Sequence, residues 1–184
     1  MRSLSAVAGM LLLAYPLAVY AGLSYWGAAP LALVLIVLFA CRIVSSRRSK
    51  SGPLKHLAIL TGTIGIALAS LGYLFKQHDW FLYYPVVVNA VMLAIFAHSL
   101  SQPQSIVEKL ARLQDPDLPP SGVSYTRKVT KVWCLFFLLN GSIAWLTCFM
   151  PLSNWTLYNG LLSYLAAGTL FAVEYLVRKK VQAS

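Results

Sequence analysis

Charged residues are scarce in this chain, and acidic residues are the scarcest. Only 11% of the 184 residues are charged, with 5 Asp and Glu against 15 Lys and Arg. Soluble domains carry about 25% charged residues. Because 59% of the residues are apolar, too few polar side chains remain to cover a compact soluble domain. The composition excludes an ordinary water-soluble globule and predicts an all-α integral membrane protein.

Cysteine and histidine are also rare, with three of each. Cys41, Cys134 and Cys148 lie far apart in sequence, which fits neither a zinc site nor a disulfide framework. The nearest approach to a catalytic pair is His78-Asp79, but adjacent side chains on a helix point in different directions. We therefore expect no catalytic residues, no metal and no cofactor, and a non-enzymatic role.

Long apolar runs are the dominant positive feature. A helix rising 1.5 Å per residue needs about 20 apolar residues to cross a hydrocarbon layer of roughly 30 Å. The sequence predicts a six-helix transmembrane bundle, one polytopic domain over residues 1–184, with spans at about 4–24, 31–44, 57–75, 81–100, 132–150 and 155–177.

The positive charges predict how these spans are oriented. In an alternating six-span arrangement, one side carries every Lys and Arg except Lys76: Arg2, Arg42, Arg47, Arg48, Lys50, Lys55, Lys109, Arg112, Arg127, Lys128, Lys131, Arg178, Lys179 and Lys180. Short cytoplasmic loops retain positive charge, so both termini are predicted to be cytoplasmic. Aromatic residues such as Trp26, Trp80 and Trp155 fall at the opposite ends, as interfacial rings do.

The net charge of +10 raises the question of a nucleic-acid partner. Basic residues next to the cytoplasmic ends of spans are, however, what topology and anionic lipid headgroups already require. The predicted partners are therefore membrane lipids with anionic headgroups at the cytoplasmic face, and not nucleic acid.

The loop at 101–131 is the longest polar segment. Ser105 followed by Glu108 fits a capping box and predicts a short amphipathic helix at 105–114. Its apolar face would hold Ile106, Val107, Leu110 and Leu113, and its polar face Glu108, Lys109 and Arg112. We interpret this helix as interfacial, lying on the headgroups, with a protein-docking role as the alternative.

Four polar residues inside the predicted spans need partners, because unsatisfied polar groups are costly in hydrocarbon. They are Asn89, His98, Asn140 and Glu174. The two asparagines are expected to bond across a helix interface, His98 to make a packing hydrogen bond, and Glu174 to pair with Arg178 one turn later. In the third span, Gly62, Gly65 and Ala69 share one face and predict close backbone approach.

The run from Lys128 to Gly141 contains Trp133-Cys134-Leu135-Phe136-Phe137. It resembles the Trp-x-x-Phe-Phe signature that opens the penultimate span of the intracellular septation protein A (YciB-like) family. Further landmarks follow the same order as in that family: His78-Asp79, Pro103, Ile106, Leu118-Pro119 and Asn154-Trp155. The likeness is closer to a sister group of bacterial membrane proteins encoded near fatty-acid-synthase-like or aryl polyene biosynthesis genes.

The resemblance implies a bacterial inner-membrane protein linked to envelope maintenance or to a lipid-like product. We therefore expect an accessory or scaffold protein that binds lipid or protein partners. A small lipid or polyene transporter is the alternative, and a membrane-embedded acyl-transfer enzyme is the third possibility. Acyl carrier proteins are acidic, so a basic face could recruit one electrostatically. The residues of this face are Lys109, Arg112, Arg127, Lys128 and Lys131.

Overall fold

The computed structural model describes residues 14–47, 52–75, 79–113 and 115–183, and these residues form helices without any strand. The helices are α1 (Tyr15–Tyr25), α2 (Ala28–Arg47), α3 (Gly52–Phe75), α4 (Asp79–Leu82), α5 (Tyr84–Leu100), α6 (Ile106–Ala111), α7 (Pro120–Thr147), α8 (Leu152–Leu157), the π-helical turn π1 (Tyr158–Leu162) and α9 (Ser163–Ala183).

Five stretches of the described residues are long and apolar enough to cross a membrane. They are Ala28–Arg47, Ala58–Phe75, Asp79–Leu100, Pro120–Thr147 and Leu152–Lys179. These helices indicate a multi-pass membrane protein, as the composition predicts. The first predicted span, 4–24, lies partly outside the described residues, and its described part is α1. The count of six spans and the orientation of the termini therefore remain predictions.

The helix boundaries differ most from the sequence prediction at α7. This helix begins at Pro120, twelve residues before the predicted span at 132–150, so much of the predicted loop at 101–131 is helical. Proline suits the first turn of a helix, because its missing N–H would have no partner there. Thr126 and Thr130 then bond to carbonyls of their own helix, Val123 O and Thr126 O. The first part of α7 was therefore not predicted, because its polar composition is typical of a loop.

The chain forms two compact units. Of the described residues, the first comprises 14–47, 52–75, 79–87 and 144–162, and the second comprises 88–113, 115–143 and 163–183. The helices α5 and α7 each contribute to both units. The prediction of a single membrane domain is not decided by this division.

In the first unit, α2 and α3 pack closely through glycines. A Cβ atom built on Gly65 would lie 2.4 Å from the Phe39 ring, and one on Gly62 would lie 2.8 Å from the Ile43 side chain. Ala69 is also buried. The prediction of close backbone approach along this face is confirmed, and the two contacts show that the helices run antiparallel.

The first unit also contains an interruption between α4 and α5 at Tyr83. A continuous helix would pair the Phe81 carbonyl with the amide of residue 85, which is a proline and has no N–H. The Tyr15 hydroxyl donates to Phe81 O instead, at 2.8 Å, and the Trp155 indole donates to Leu82 O at 3.1 Å. Both donors are buried. Side chains from distant parts of the sequence therefore satisfy the carbonyls that the break exposes.

The second unit has an aromatic core. Phe96, Trp133 and Phe137 are buried together, and the Trp133 ring centre lies 4.5 Å from that of Phe171 on α9. Phe96 and Phe137 meet edge to face at 5.1 Å, a favoured arrangement of aromatic rings. The Trp-x-x-Phe-Phe motif thus supplies much of the core that joins α5, α7 and α9.

Candidate functional site

The segment between α5 and α7, residues 101–119, is called the connector here. Arg127 on α7 ties its start in place: its guanidinium donates to Gln102 O at 2.7 Å and to Leu100 O at 3.2 Å. The Ser99 hydroxyl accepts from the Ile106 amide at 3.1 Å. Hydrogen bonds to a charged donor are stronger than neutral ones, so the connector is held to the helices on both sides.

The short helix α6 carries the predicted cap. The Ser105 hydroxyl is fully buried and accepts from the Glu108 amide at 3.3 Å, which confirms the N-terminal half of the capping box. The helix is shorter than the predicted 105–114 because the chain turns after Ala111. Arg112 Nη1 donates to Pro116 O at 2.8 Å and stabilises this turn.

The structure departs from the predicted faces of this helix at Glu108, which is buried, while exposed leucines are compatible with a helix that lies on the headgroups. Glu108 is only 3% exposed, whereas Leu113 is 75% and Leu110 37% exposed. Glu108 tolerates burial because the Arg112 guanidinium donates to its carboxylate at 2.9 Å, and a paired charge loses less on leaving water. Apolar periodicity could not reveal this pair, since it assigns every charged residue to the polar face.

The five basic residues predicted to form one face divide into two classes. Arg112 and Arg127 are half-buried and donate to groups of the protein itself. Lys109, Lys128 and Lys131 are exposed. These three lysines, which we call the lysine face, lie on α6 and α7, and both helices pack on the aromatic core through Ile106 and Val129. The arginines hold the connector, and the lysines remain accessible.

The asparagines predicted to pair do so. Asn140 on α7 donates through Nδ2 to Asn89 Oδ1 on α5 at 3.0 Å, and both are buried. Gly141 allows this approach, because a Cβ atom there would lie 2.9 Å from the Asn89 side chain. The prediction that these two helices pack through their amides is confirmed.

The prediction for Glu174 agrees with the structure, and the prediction for His98 does not. Glu174 lies 3.7 Å from Arg178 as expected, and it also accepts from the Tyr125 hydroxyl, which links α7 to α9. His98 is exposed, and its ring nitrogen lies 3.2 Å from the Gln102 amide, four residues away. Its hydrogen bond is therefore local and does not join two membrane helices, which corrects the predicted packing role.

A pocket of about 400 Å³ lies in the first unit, lined mainly by residues of α1, α4 and the turn before α8. Asp79, Ser24 and Cys148 are its polar or ionisable members. Burial raises the pKa of the Cys148 thiol to about 11, and its sulfur lies 3.4 Å from Leu82 O. The thiol is therefore neutral near pH 7 and is a weak nucleophile in that state.

The last span contains a second interruption, which the sequence did not predict. In π1 the Asn159 amide donates to Trp155 O at 2.9 Å and to the Thr147 hydroxyl at 3.1 Å. Asn159 is only 3% exposed. Single-turn π segments often occur at functional sites. The only sequence signal was an asparagine inside an apolar run, the same signal that Asn89 and Asn140 gave.

The described residues therefore offer exposed positive charges that can bind an anionic partner, and polar groups that can form hydrogen bonds. Among them, no group of three or more His, Cys, Asp or Glu side chains is close enough to hold a metal ion. No family model matches this chain, and neither a curated protein nor a solved structure matches it.

Proposed function

We propose that this protein is an accessory or scaffold protein of the bacterial inner membrane that recruits an acidic partner to the membrane surface through its lysine face. The observation that carries the proposal is that the arginines and the lysines at the connector make different contacts. Arg112 and Arg127 are used to fix it, while Lys109, Lys128 and Lys131 are left exposed on the fixed segment and the adjacent helix.

A fixed surface favours this role, because the protein loses little conformational entropy when a partner binds to it. Leu110 and Leu113 are exposed beside Lys109, and a basic segment with exposed leucines is suited to the headgroup layer. The partner we propose is an acyl carrier protein, whose acidic surface is complementary to the lysines. This choice fits a role in lipid or aryl polyene metabolism.

The α2–α3 hairpin supports the orientation on which the proposal depends. Because these helices are antiparallel, Trp26 and Tyr73 belong to the same end of the hairpin, and both are exposed. Arg47 and Lys55 belong to the other end. Aromatic rings favour the membrane interface, and positive charges favour the cytoplasmic side. We therefore propose that the basic end of the hairpin is cytoplasmic and, with spans that alternate in direction, that the connector and both termini are cytoplasmic as well.

The test is binding of a cognate acyl carrier protein to the full chain in nanodiscs. Replacing Lys109, Lys128 and Lys131 together with Gln should weaken binding about tenfold at low salt, since each exposed ion pair contributes up to about 1 kcal/mol. A matched variant with Gln at Arg47, Lys55 and Lys179 removes the same charge elsewhere and should bind nearly as the wild type. Equal losses in the two variants, or binding insensitive to salt, would exclude the lysine face.

Transport of a lipid or polyene is the second candidate, and the first unit supplies the observation in its favour. The helix break at Tyr83 and the turn π1 are both in that unit, together with the pocket that Asp79 and Ser24 line. Interrupted helices beside a cavity are typical of transporters. Liposomes that contain the protein would then move a labelled phospholipid, and Asp79→Asn would slow the movement. A scaffold would move none.

A further inference from the structure

Arg42 lies on α2 within the apolar span Ala28–Arg47, five residues before its end. Its Nε atom is buried, and no described residue provides it with a hydrogen-bond partner. At 1.5 Å per residue, the Arg42 backbone is about 7.5 Å inside the end of the span. A charged group at that depth is costly unless something neutralises it.

The other half-buried arginines on the described helices and connector behave differently. Arg112 bonds to Glu108 and Pro116, and Arg127 bonds to Leu100 and Gln102. Arg178 pairs with Glu174. Buried polar groups in proteins nearly always have partners. Among the described residues, Arg42 Nε is the exception, and a partner from outside them would satisfy it.

The first unit cannot supply an acid to Arg42. Within residues 1–87 and 144–162 the sequence holds one acid, Asp79. Asp79 lines the same pocket as Ala28, at the opposite end of α2. Fourteen residues of helix separate Ala28 from Arg42, which is about 21 Å. That distance is well beyond the reach of an ion pair.

The surroundings of Arg42 suit an anion with several oxygen acceptors. Ser45 and Ser46 follow at i+3 and i+4, so they share its side of the helix, and both are half-buried. Phe39 and Ile43 pack beside it against Gly65 and Gly62 of α3.

Lys55 on α3 lies beyond Gly62 toward the same end of the hairpin and is also half-buried. A guanidinium binds phosphate oxygens in a forked geometry, and hydroxyls can donate to the same group.

We propose that Arg42 binds the phosphate of an anionic phospholipid headgroup, with Ser45, Ser46 and Lys55 around it, at the basic end of the α2–α3 hairpin. The depth of Arg42 selects the lipid as the source of the phosphate. A lipid headgroup can be held at the membrane boundary beside the span, whereas a free phosphate ion would have to leave water to reach it. This site lies in the first unit and does not depend on the lysine face.

The test compares lipids on the purified full chain. Retention of phosphatidylglycerol against phosphatidylcholine is measured by native mass spectrometry, and thermal protection by each lipid is measured in detergent. Arg42→Gln should weaken phosphatidylglycerol binding about tenfold, as expected for the loss of a charge-assisted pair. Arg47→Gln, an equal charge change at an exposed position of the same helix, should change it less than about twofold.

Arg42→Lys keeps the charge without the fork and should give intermediate binding. This variant also provides a test if Arg42→Gln does not fold. Equal losses for the Arg42 and Arg47 variants would show general surface attraction and overturn the site. Equal retention of the two lipids would overturn it as well. Protection by inorganic phosphate as strong as that by phosphatidylglycerol would overturn the assignment to a lipid.

Discussion

Individual polar side chains in this protein mainly satisfy carbonyls or amides that would otherwise be unpaired in an apolar environment. Tyr15 and Trp155 bond to the broken turn at Tyr83, and Arg127 bonds to the end of α5. The Asn89–Asn140 pair could be predicted from the sequence because an amide in a membrane span needs a partner. The burial of Glu108 could not be predicted, since apolar periodicity assigns it to the polar face and does not reveal its pairing with Arg112.

Replacing Asn140 with Ala should destabilise the packing of α5 on α7. Interhelical hydrogen bonds in membrane proteins contribute about 0.6 kcal/mol on average and up to about 1.7, and this buried pair should lie in the upper part of that range. A double-mutant cycle with Asn89→Ala, measured by reversible unfolding in bicelles, isolates the pair. Ser142→Ala on the exposed side of α7 is the control. A coupling energy of zero would mean that the bond at 3.0 Å adds nothing to stability.

Cys148 should react slowly with alkylating reagents in the folded protein. Its pKa is raised from 9.0 to about 11 by burial, and only the thiolate reacts. In a Cys41→Ser, Cys134→Ser variant, the iodoacetamide rate should rise about tenfold per pH unit up to pH 10 without a plateau. In SDS-unfolded chain it should level off near pH 9. A plateau below pH 9.5 in the folded protein would contradict the raised pKa.

The same shift predicts how stability depends on pH. A raised folded-state pKa means that the folded protein favours the neutral thiol. Its contribution to stability is fully present below the unfolded value near 9.0 and is lost as the pH rises through about 11.

Helices illustrate what sequence patterns can and cannot define. Apolar runs located α2, α3 and the cores of the later spans, because length and hydropathy decide whether a helix can cross a bilayer. They missed the start of α7, where Pro120 begins a helix made of polar residues. They also missed the break at Tyr83 and the turn π1. Those interruptions depend on donors such as Trp155 and Asn159 that only the folded chain brings near.

Gly65 should be the most sensitive glycine of the α2–α3 contact. An added Cβ would lie 2.4 Å from the Phe39 ring, so Gly65→Ala should destabilise the protein by about 1–3 kcal/mol through overpacking. Gly168 on α9 has nothing within 4 Å of its Cβ position. Gly168→Ala should therefore be neutral or slightly stabilising in the same unfolding assay. Equal effects of the two substitutions would argue against close packing at Gly65.

At the scale of the whole molecule, charge and aromatic residues are sorted along the chain. The first unit places aromatic residues at one end of the α2–α3 hairpin and Arg47 at the other. The second unit places its exposed lysines on α6 and α7. Sorting of this kind is readable from sequence because it follows from loop position alone. The division into two units is not readable from it, since α5 and α7 are each shared by both.

Accessibility labelling of single cysteines in a cysteine-free chain tests the proposed orientation. Tyr25→Cys, Arg47→Cys, Lys109→Cys and Lys179→Cys all place the thiol at an exposed position. The reagent is a maleimide that passes the outer membrane but not the inner membrane. In intact cells it should label Tyr25→Cys alone, because positive charges are retained in the cytoplasm. Permeabilised cells, in which all four should react, provide the control. Labelling of Arg47→Cys but not Lys179→Cys in intact cells would place these two basic positions on opposite faces. The basic residues would then not all be cytoplasmic. Labelling of Lys109→Cys in intact cells would place the lysine face outside the cytoplasm and rule out the proposed recruitment of a cytoplasmic carrier protein.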